Sequence, residues 1–374
     1  MQASILTSMD SKRLLKTFLD LVQIPSESGK EKPVTDYLVA KLKSLGLEVW
    51  VDDAGSKIGS NSGNIMGRLK GSLPGSIAFS SHQDTVVPGI GIKPQIADGI
   101  IRSDGTTILG ADDKAGLACI LEMFECIKDK PHPTIEVVFD ICEEVGLRGA
   151  AQFDTSKLES KYSIILDVDG APGRINIAAP YQDVCKIAIK GKPSHAGIAP
   201  DKGISAIEVA SKAIASMKLG KIDDETTSNV GIISGGKATN IVPEECRIEM
   251  EARSRDEAKL NAQTKHMLDR FEEEAKKAGA AIEVSKERVF MGYKFSETDP
   301  LPSLVAQAAK DVGLKPQFVR SGGGSVSNIF NAKGLASVVV GVGFENPHSK
   351  DEFLRISDLE ASANWVIRMV ELVK

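Results

Sequence analysis

Between Tyr181 and Arg288 the spacing of apolar residues sets an order of elements that few folds can satisfy. Val184–Ile189 reads as a strand, Ile204–Met217 as a helix, and Asn229–Ser234 and Arg247–Ala252 as two strands. Asp256–Lys277 then reads as a long helix and Ile282–Arg288 as a last strand. This β-α-β-β-α-β order is that of a ferredoxin-like sandwich, compact enough to stand as a domain of its own.

The flanking sequence has a different rhythm. Helical spacing runs from Ser11 to Leu21 behind an Asp10 cap, and again from Val34 to Leu45 before Gly46. Short apolar runs follow at Glu48–Val51, Asn64–Arg68, Ile77–Ser81, Ile135–Asp140 and Tyr162–Leu166. Asp98-Gly99 and Asp104-Gly105 flank Ile100–Ser103 as a hairpin signature, and Lys114–Ile127 reads as an amphipathic helix. After residue 290, Pro300–Val312 reads as a helix, Ser337–Val342 as a strand and Ser357–Val373 as a final helix. Strands alternating with helices predict an α/β domain with a largely parallel central sheet flanked by helices. The expected organisation is therefore a domain over 1–180 and 291–374, interrupted by the inserted ferredoxin-like domain over 181–290. A chain of 374 residues exceeds what one hydrophobic core usually serves, which suits two domains.

A net charge of −5 argues against nucleic acid or an anionic membrane as the main partner. No stretch approaches the roughly 20 apolar residues of a membrane span, and Met1 to Leu15 has no leader pattern. Cys119, Cys126, Cys142, Cys185 and Cys246 are odd in number with no CxxC spacing, so reduced thiols and a cytoplasmic location are expected.

Several polar groups fall where strands end. His82 and Asp84 close the run that starts at Ile77, and on an extended segment residues i and i+2 share a face. A carboxylate there orients a metal-binding imidazole, although for the pair taken alone a satisfied surface histidine is the plainer explanation. Asp112-Asp113 precedes a helix, where capping is the plain explanation. Glu143-Glu144, Asp167 and Asp169 follow strands, and His348 lies in a loop between the last strand and the last helix. Their coincidence counts for more than any one of them. His82, Asp112, Glu144, Asp169 and His348 all sit at the strand edge where open α/β sheets place ligand sites. Five nitrogen and oxygen ligands with no cysteine suit two zinc or similar divalent ions. A bridging carboxylate would hold such a pair about 3.5–4 Å apart.

The segments SSHQDTV, DGTTILGADDKAG, DICEEVGLRGA, LDVDG, KPSHAG, GGKATNIVPEE and NPHSKDEF occur in this order along nearly the whole chain. Together they resemble the peptidase T branch of the co-catalytic zinc exopeptidases, whose relatives include aminoacylases, carboxypeptidases and deacylases. The resemblance implies hydrolysis of an amide bond in short peptides, with aminopeptidase action on tripeptides or dipeptides. N-acyl amino acid amidohydrolase and carboxypeptidase activity are the alternatives on the same scaffold. It implies two divalent ions per chain, zinc with cobalt or manganese as substitutes. His82 and Asp169 would hold one ion, Glu144 and His348 the other, and Asp112 would bridge them through a segment containing a cis Asp112–Asp113 peptide. Glu143 would be the general base, Asp84 the residue steering His82, and His195 the oxyanion donor. Asn240 and Arg253 would grip the far end of the substrate. The inserted domain would serve as a lid and a homodimer contact. A silent binding protein that kept the fold is disfavoured, because all five ligands and Glu143 are present.

One loop departs from the family pattern. Ser321-Gly322-Gly323-Gly324-Ser325-Val326 stands where relatives carry GGSD or GGTD, so Val326 replaces an acid. No Lys-Ser/Thr follows the glycines, which excludes a P-loop. Gly323 and Gly324 are expected to let backbone amides approach substrate, and Val326 to loosen recognition of a free amino terminus.

Overall fold

The computed structural model describes residues 9–373. The first eight residues, part of the stretch read above for a leader, lie outside it. The chain divides into two compact units. One contains the described residues up to Ile177, Phe295–Arg320 and the described residues from Ser325 onward, and the other contains Ala178–Lys294 with Ser321–Gly324.

In the main sheet the strand order is Glu48–Val51, Ile65–Leu69, Thr134–Asp140, Ser76–His82, Tyr162–Val168, Ala336–Gly341 and Arg174–Ala179. The four central strands run parallel, and the flanking pairs are antiparallel. Thr134–Asp140 is buried along its whole length, as expected of a parallel strand covered on both faces. The helix Ala111–Ile127 packs against the strand Ser76–His82 and against the helices Ser11–Val22 and Ile356–Leu372. Its sequence reads as amphipathic, but nearly every residue is buried, because helices as well as the sheet cover it. Asp10 caps the helix Ser11–Val22 by accepting from the N–H groups of Lys12 and Arg13.

The second unit has the ferredoxin-like order. The strands Thr226–Gly235, Glu245–Ser254, Tyr181–Lys190 and Ala281–Phe290 lie side by side, all antiparallel. The helices Ala206–Ala215 and Glu257–Ala278 pack on this sheet, enclosing a core that includes Ile187, Ile189, Ile248, Met250, Met267 and Phe271. Beyond a bulge at Val230/Ile232, the edge strand leaves Ile232 and Ile233 about half exposed. No helix among the described residues is long and apolar enough to cross a membrane.

Two local differences from the sequence reading matter for the site. The strand expected to stop at Leu166 continues to Val168, so Asp167 belongs to it. The segment read as a glycine-rich loop ends earlier, because Val326–Ala332 is a helix capped by Ser325 and Asn328. Val326 is its first residue and only 2% exposed. Its side chain is part of the core rather than of an exposed loop.

Candidate metal centre

The parallel strands deliver their carboxyl ends to one place. His82 closes Ser76–His82, Glu143 and Glu144 follow Thr134–Asp140, and Asp167 is the last residue but one of Tyr162–Val168. His348 comes from the turn beyond Ala336–Gly341, with a left-handed backbone at φ 62°. Asp112 stands at the start of the buried helix, joined to Asp113 by a cis peptide bond.

The two oxygens of Asp112 face two different histidines. Oδ1 lies 3.1 Å from Nε2 of His82, and Oδ2 lies 3.3 Å from Nε2 of His348. Each histidine has a second acid on the same nitrogen: Asp167 Oδ1 at 3.7 Å from His82 and Glu144 Oε2 at 2.8 Å from His348. His82 Nδ1 lies 3.0 Å from the main-chain carbonyl of Asp84, to which it donates when Nε2 is the free lone pair.

The Asp84 carboxylate therefore does more than steer the ring, from which it stands 3.6 Å away. It accepts from the N–H of Glu143 at 2.9 Å, the N–H of Glu144 at 3.3 Å and the Ser28 hydroxyl at 2.6 Å. Glu31, fully buried, braces the same turn by accepting from the Cys142 N–H and the Ser60 hydroxyl. Asp113 is turned the other way. It accepts from the Ser81 hydroxyl and the N–H groups of His82 and Gly116, although its carboxylate also falls close to His82 and Asp167.

The structure does not bring the Asp169 side chain to the two histidines. The chain turns away at Gly170, whose N–H is donated to the Phe344 carbonyl. The Asp169 carboxylate is 54% exposed and points to Arg174 at 3.5 Å. Asp167, the last acid within the strand, is the one that faces His82.

Buried acids outnumber the histidines in the site. Burial pushes Asp113, Glu143 and Asp167 well above the ordinary carboxylate range, and neighbouring acids add to the effect. Burial opposes the charge on His82, but Asp112, Asp84 and Asp167 overcome it and hold the ring well above its usual value. Hydrogen bonds to Asp112 and Glu144 raise His348 to about 10. Glu144 Oε1 is buried with no hydrogen-bond partner. A crowd of acids that keeps protons to lower its own repulsion, with an orphaned oxygen among them, fits a pair of divalent cations. His82, Asp112, Asp167, Glu144 and His348 are the residues that could hold them.

The remaining sequence candidates belong to the second unit. His195 is exposed, in a turn where the Ala196 N–H is donated to the Asn240 carbonyl and His195 bridges to Ile241. His195 and Asn240 are thus neighbours. Arg253 is paired with Glu251 at 3.0 Å. Gly323 donates its N–H to the Ser321 hydroxyl. A side chain at Gly324 would meet the Phe290 ring at 2.3 Å, so packing alone accounts for a glycine there. Sequence reasoning missed Glu31, Ser28 and Glu352. Only Glu352 had a signal, its place four residues after His348.

Comparison with known proteins agrees with this architecture. Residues 184–279 match the model of the M20-type peptidase dimerisation domain, and residues 64–183 match that of peptidase family M28. The chain is 43% identical to the YqjE protein of Bacillus subtilis (strain 168), over 97% of this chain and 99% of that one. It is similar to the crystal structure of aminopeptidase PepT from Bacillus cereus ATCC 10987, with a TM-score of 0.94 and 42% identity. That match covers 97% of this chain and 99% of the other. A tripeptidase structure from Staphylococcus aureus subsp. aureus Mu50 matches with TM-score 0.94 and 40% identity, covering 98% of this chain and 99% of the other. With such identity along nearly its whole length, the chain belongs to the peptidase T-like family of peptidases.

Proposed function

We propose that the chain is a two-zinc exopeptidase that releases the amino-terminal residue of short peptides, tripeptides foremost. The observation that carries this reading is Asp112, whose two oxygens each face a histidine that has its own second acid. His82 and Asp167 would hold one ion, His348 and Glu144 the other, and Asp112 would be shared; cobalt or manganese would serve in place of zinc. Bound there, the ions supply Lewis acidity for the scissile carbonyl and for the attacking water. Glu143 takes the proton of that water and returns it to the leaving amine. Asp84 keeps Glu143 in place through its main-chain N–H and keeps the His82 ring aimed through its own carbonyl. His195 donates to the developing oxyanion, and Asn240 and Arg253 hold the far carboxylate of the peptide. The match to a dimerisation domain and the half-exposed edge at Ile232 and Ile233 support a homodimer formed through the second unit. Five buried, unpaired cysteines suit a reducing cytoplasm.

The ligand assignment separates two neighbouring acids. Asp167→Asn is expected to weaken binding of one of the two ions by at least about tenfold, and Asp169→Asn to leave both sites as they were. Calorimetric titration of the metal-free proteins measures both. A loss confined to Asp169→Asn would restore the sequence-based assignment.

Substrate direction is tested with a free tripeptide, its N-acetyl form and an N-acyl amino acid, each on zinc-, cobalt- and manganese-loaded enzyme. Release of the amino-terminal residue from the free tripeptide alone is the expected result. Val326 carries no acid, so cleavage of the N-acetyl form beside the free tripeptide would point to the looser amine recognition expected of that position. Faster cleavage of the N-acyl amino acid would make the chain an amidohydrolase, and release of the carboxyl-terminal residue would make it a carboxypeptidase.

A further inference from the structure

Glu352 belongs to neither set of proposed ligands, yet it is 1% exposed and aimed at the segment that carries Asp112. Its Oε2 accepts from the N–H of Leu109 at 2.8 Å and of Gly110 at 2.7 Å, and its Oε1 accepts from the N–H of Asp112 at 2.9 Å. Three main-chain donors converge on one carboxylate because Gly110 adopts φ 73° and folds the segment into a concave nest. The other end of Glu352 is equally fixed. Its own N–H is donated to the Ser349 carbonyl, and Ser349 closes the turn by donating to the Asn346 carbonyl. The chain then enters the strand Phe353–Arg355, which pairs with Ile100–Arg102. One side chain thus ties the turn bearing His348 to the segment bearing Asp112.

We infer that Glu352 is a positioning residue that sets Asp112 between the two metal sites and couples that segment to the His348 turn. This rests on the reading of Asp112 as the shared ligand. The plainer role is a cap supplied from a distance to the helix Ala111–Ile127, which would stabilise the helix and leave the metals indifferent. The two roles diverge for Glu352→Gln. Glutamine keeps the shape and one acceptor, but its NH₂ faces main-chain N–H donors, so the nest must open on one side. A ligand whose support relaxes loses affinity without losing its own donor atoms.

The test is titration of metal-free wild type and Glu352→Gln with cobalt(II), read by calorimetry and by the visible spectrum of the bound ion. The wild type is expected to bind two ions. The variant is expected to bind them about 10–100-fold more weakly, with an altered spectrum. Wild-type affinities and spectrum in the variant, even with a lowered melting temperature, would leave Glu352 as a helix cap and overturn the inference. A wild type that binds no metal would instead remove the metal reading itself. If the variant does not fold, hydrogen exchange over residues 107–113 of the metal-free wild type decides. Slow exchange before metal is added is expected of a segment already held by Glu352. Fast exchange that slows only on metal binding would overturn the inference.

Discussion

Replacing Glu143 by glutamine is expected to lower kcat by about 10²–10⁴-fold while the protein keeps its full complement of metal. Glu143 is half-buried, and its N–H is held by Asp84 rather than by any proposed ligand side chain. Burial raises its carboxyl well above the usual range, and the neighbouring Glu144, Asp140 and Asp112 raise it further, against the opposing pull of His82. Glutamine of the same shape cannot accept a proton, so the variant loses the base while the ligand side chains stay as they were. Glu144→Gln should behave differently. Glu144 lies 2.8 Å from His348 Nε2, so its loss should show first as weaker metal binding. Measuring kcat together with metal content in both variants separates the roles, and the reverse pattern would mean that they are exchanged.

Removing the divalent ions is expected to abolish turnover altogether. Without them, Asp112 keeps its charge only through His82 and His348, while Asp113, Glu143 and Asp167 are driven toward their protonated forms by burial and mutual repulsion. A protonated Glu143 cannot accept a proton from water, so the base is lost along with the Lewis acid. The same linkage acts on stability, because ions bind the folded site and not the unfolded chain. At a free concentration about 100 times the dissociation constant, one ion adds about 2.7 kcal/mol, so chelated protein should melt at a lower temperature than loaded protein.

Much of this was legible in the sequence because strand ends and ligand positions coincide. The motifs around His82, Asp112, Glu144 and His348 mark each as a ligand, and the structure brings their side chains together. The motifs assign Asp169 rather than Asp167, and the structure instead turns Asp167 to His82, because the strand runs on to Val168 and the chain leaves it before Asp169. The role of Asp84 was half visible. Spacing placed it beside His82, but its grip on the Glu143 and Glu144 backbone joins residues about sixty positions apart, which no local pattern encodes. The glycines before Val326 suggest a continuing loop, whereas Ser325 and Asn328 cap a short helix there. Glu352 was hidden for a further reason: its partners are main-chain N–H groups some 240 residues away, and these carry no side-chain signature.

The central claim is that a pair of divalent ions, shared through Asp112, drives peptide hydrolysis. The most direct measurement titrates metal-free enzyme with zinc while following release of the amino-terminal residue from a free tripeptide. The account predicts that activity is absent at the start and reaches its plateau at two equivalents of zinc per chain. Full activity in the chelated protein, or a plateau at one equivalent that a second ion leaves unchanged, would contradict it.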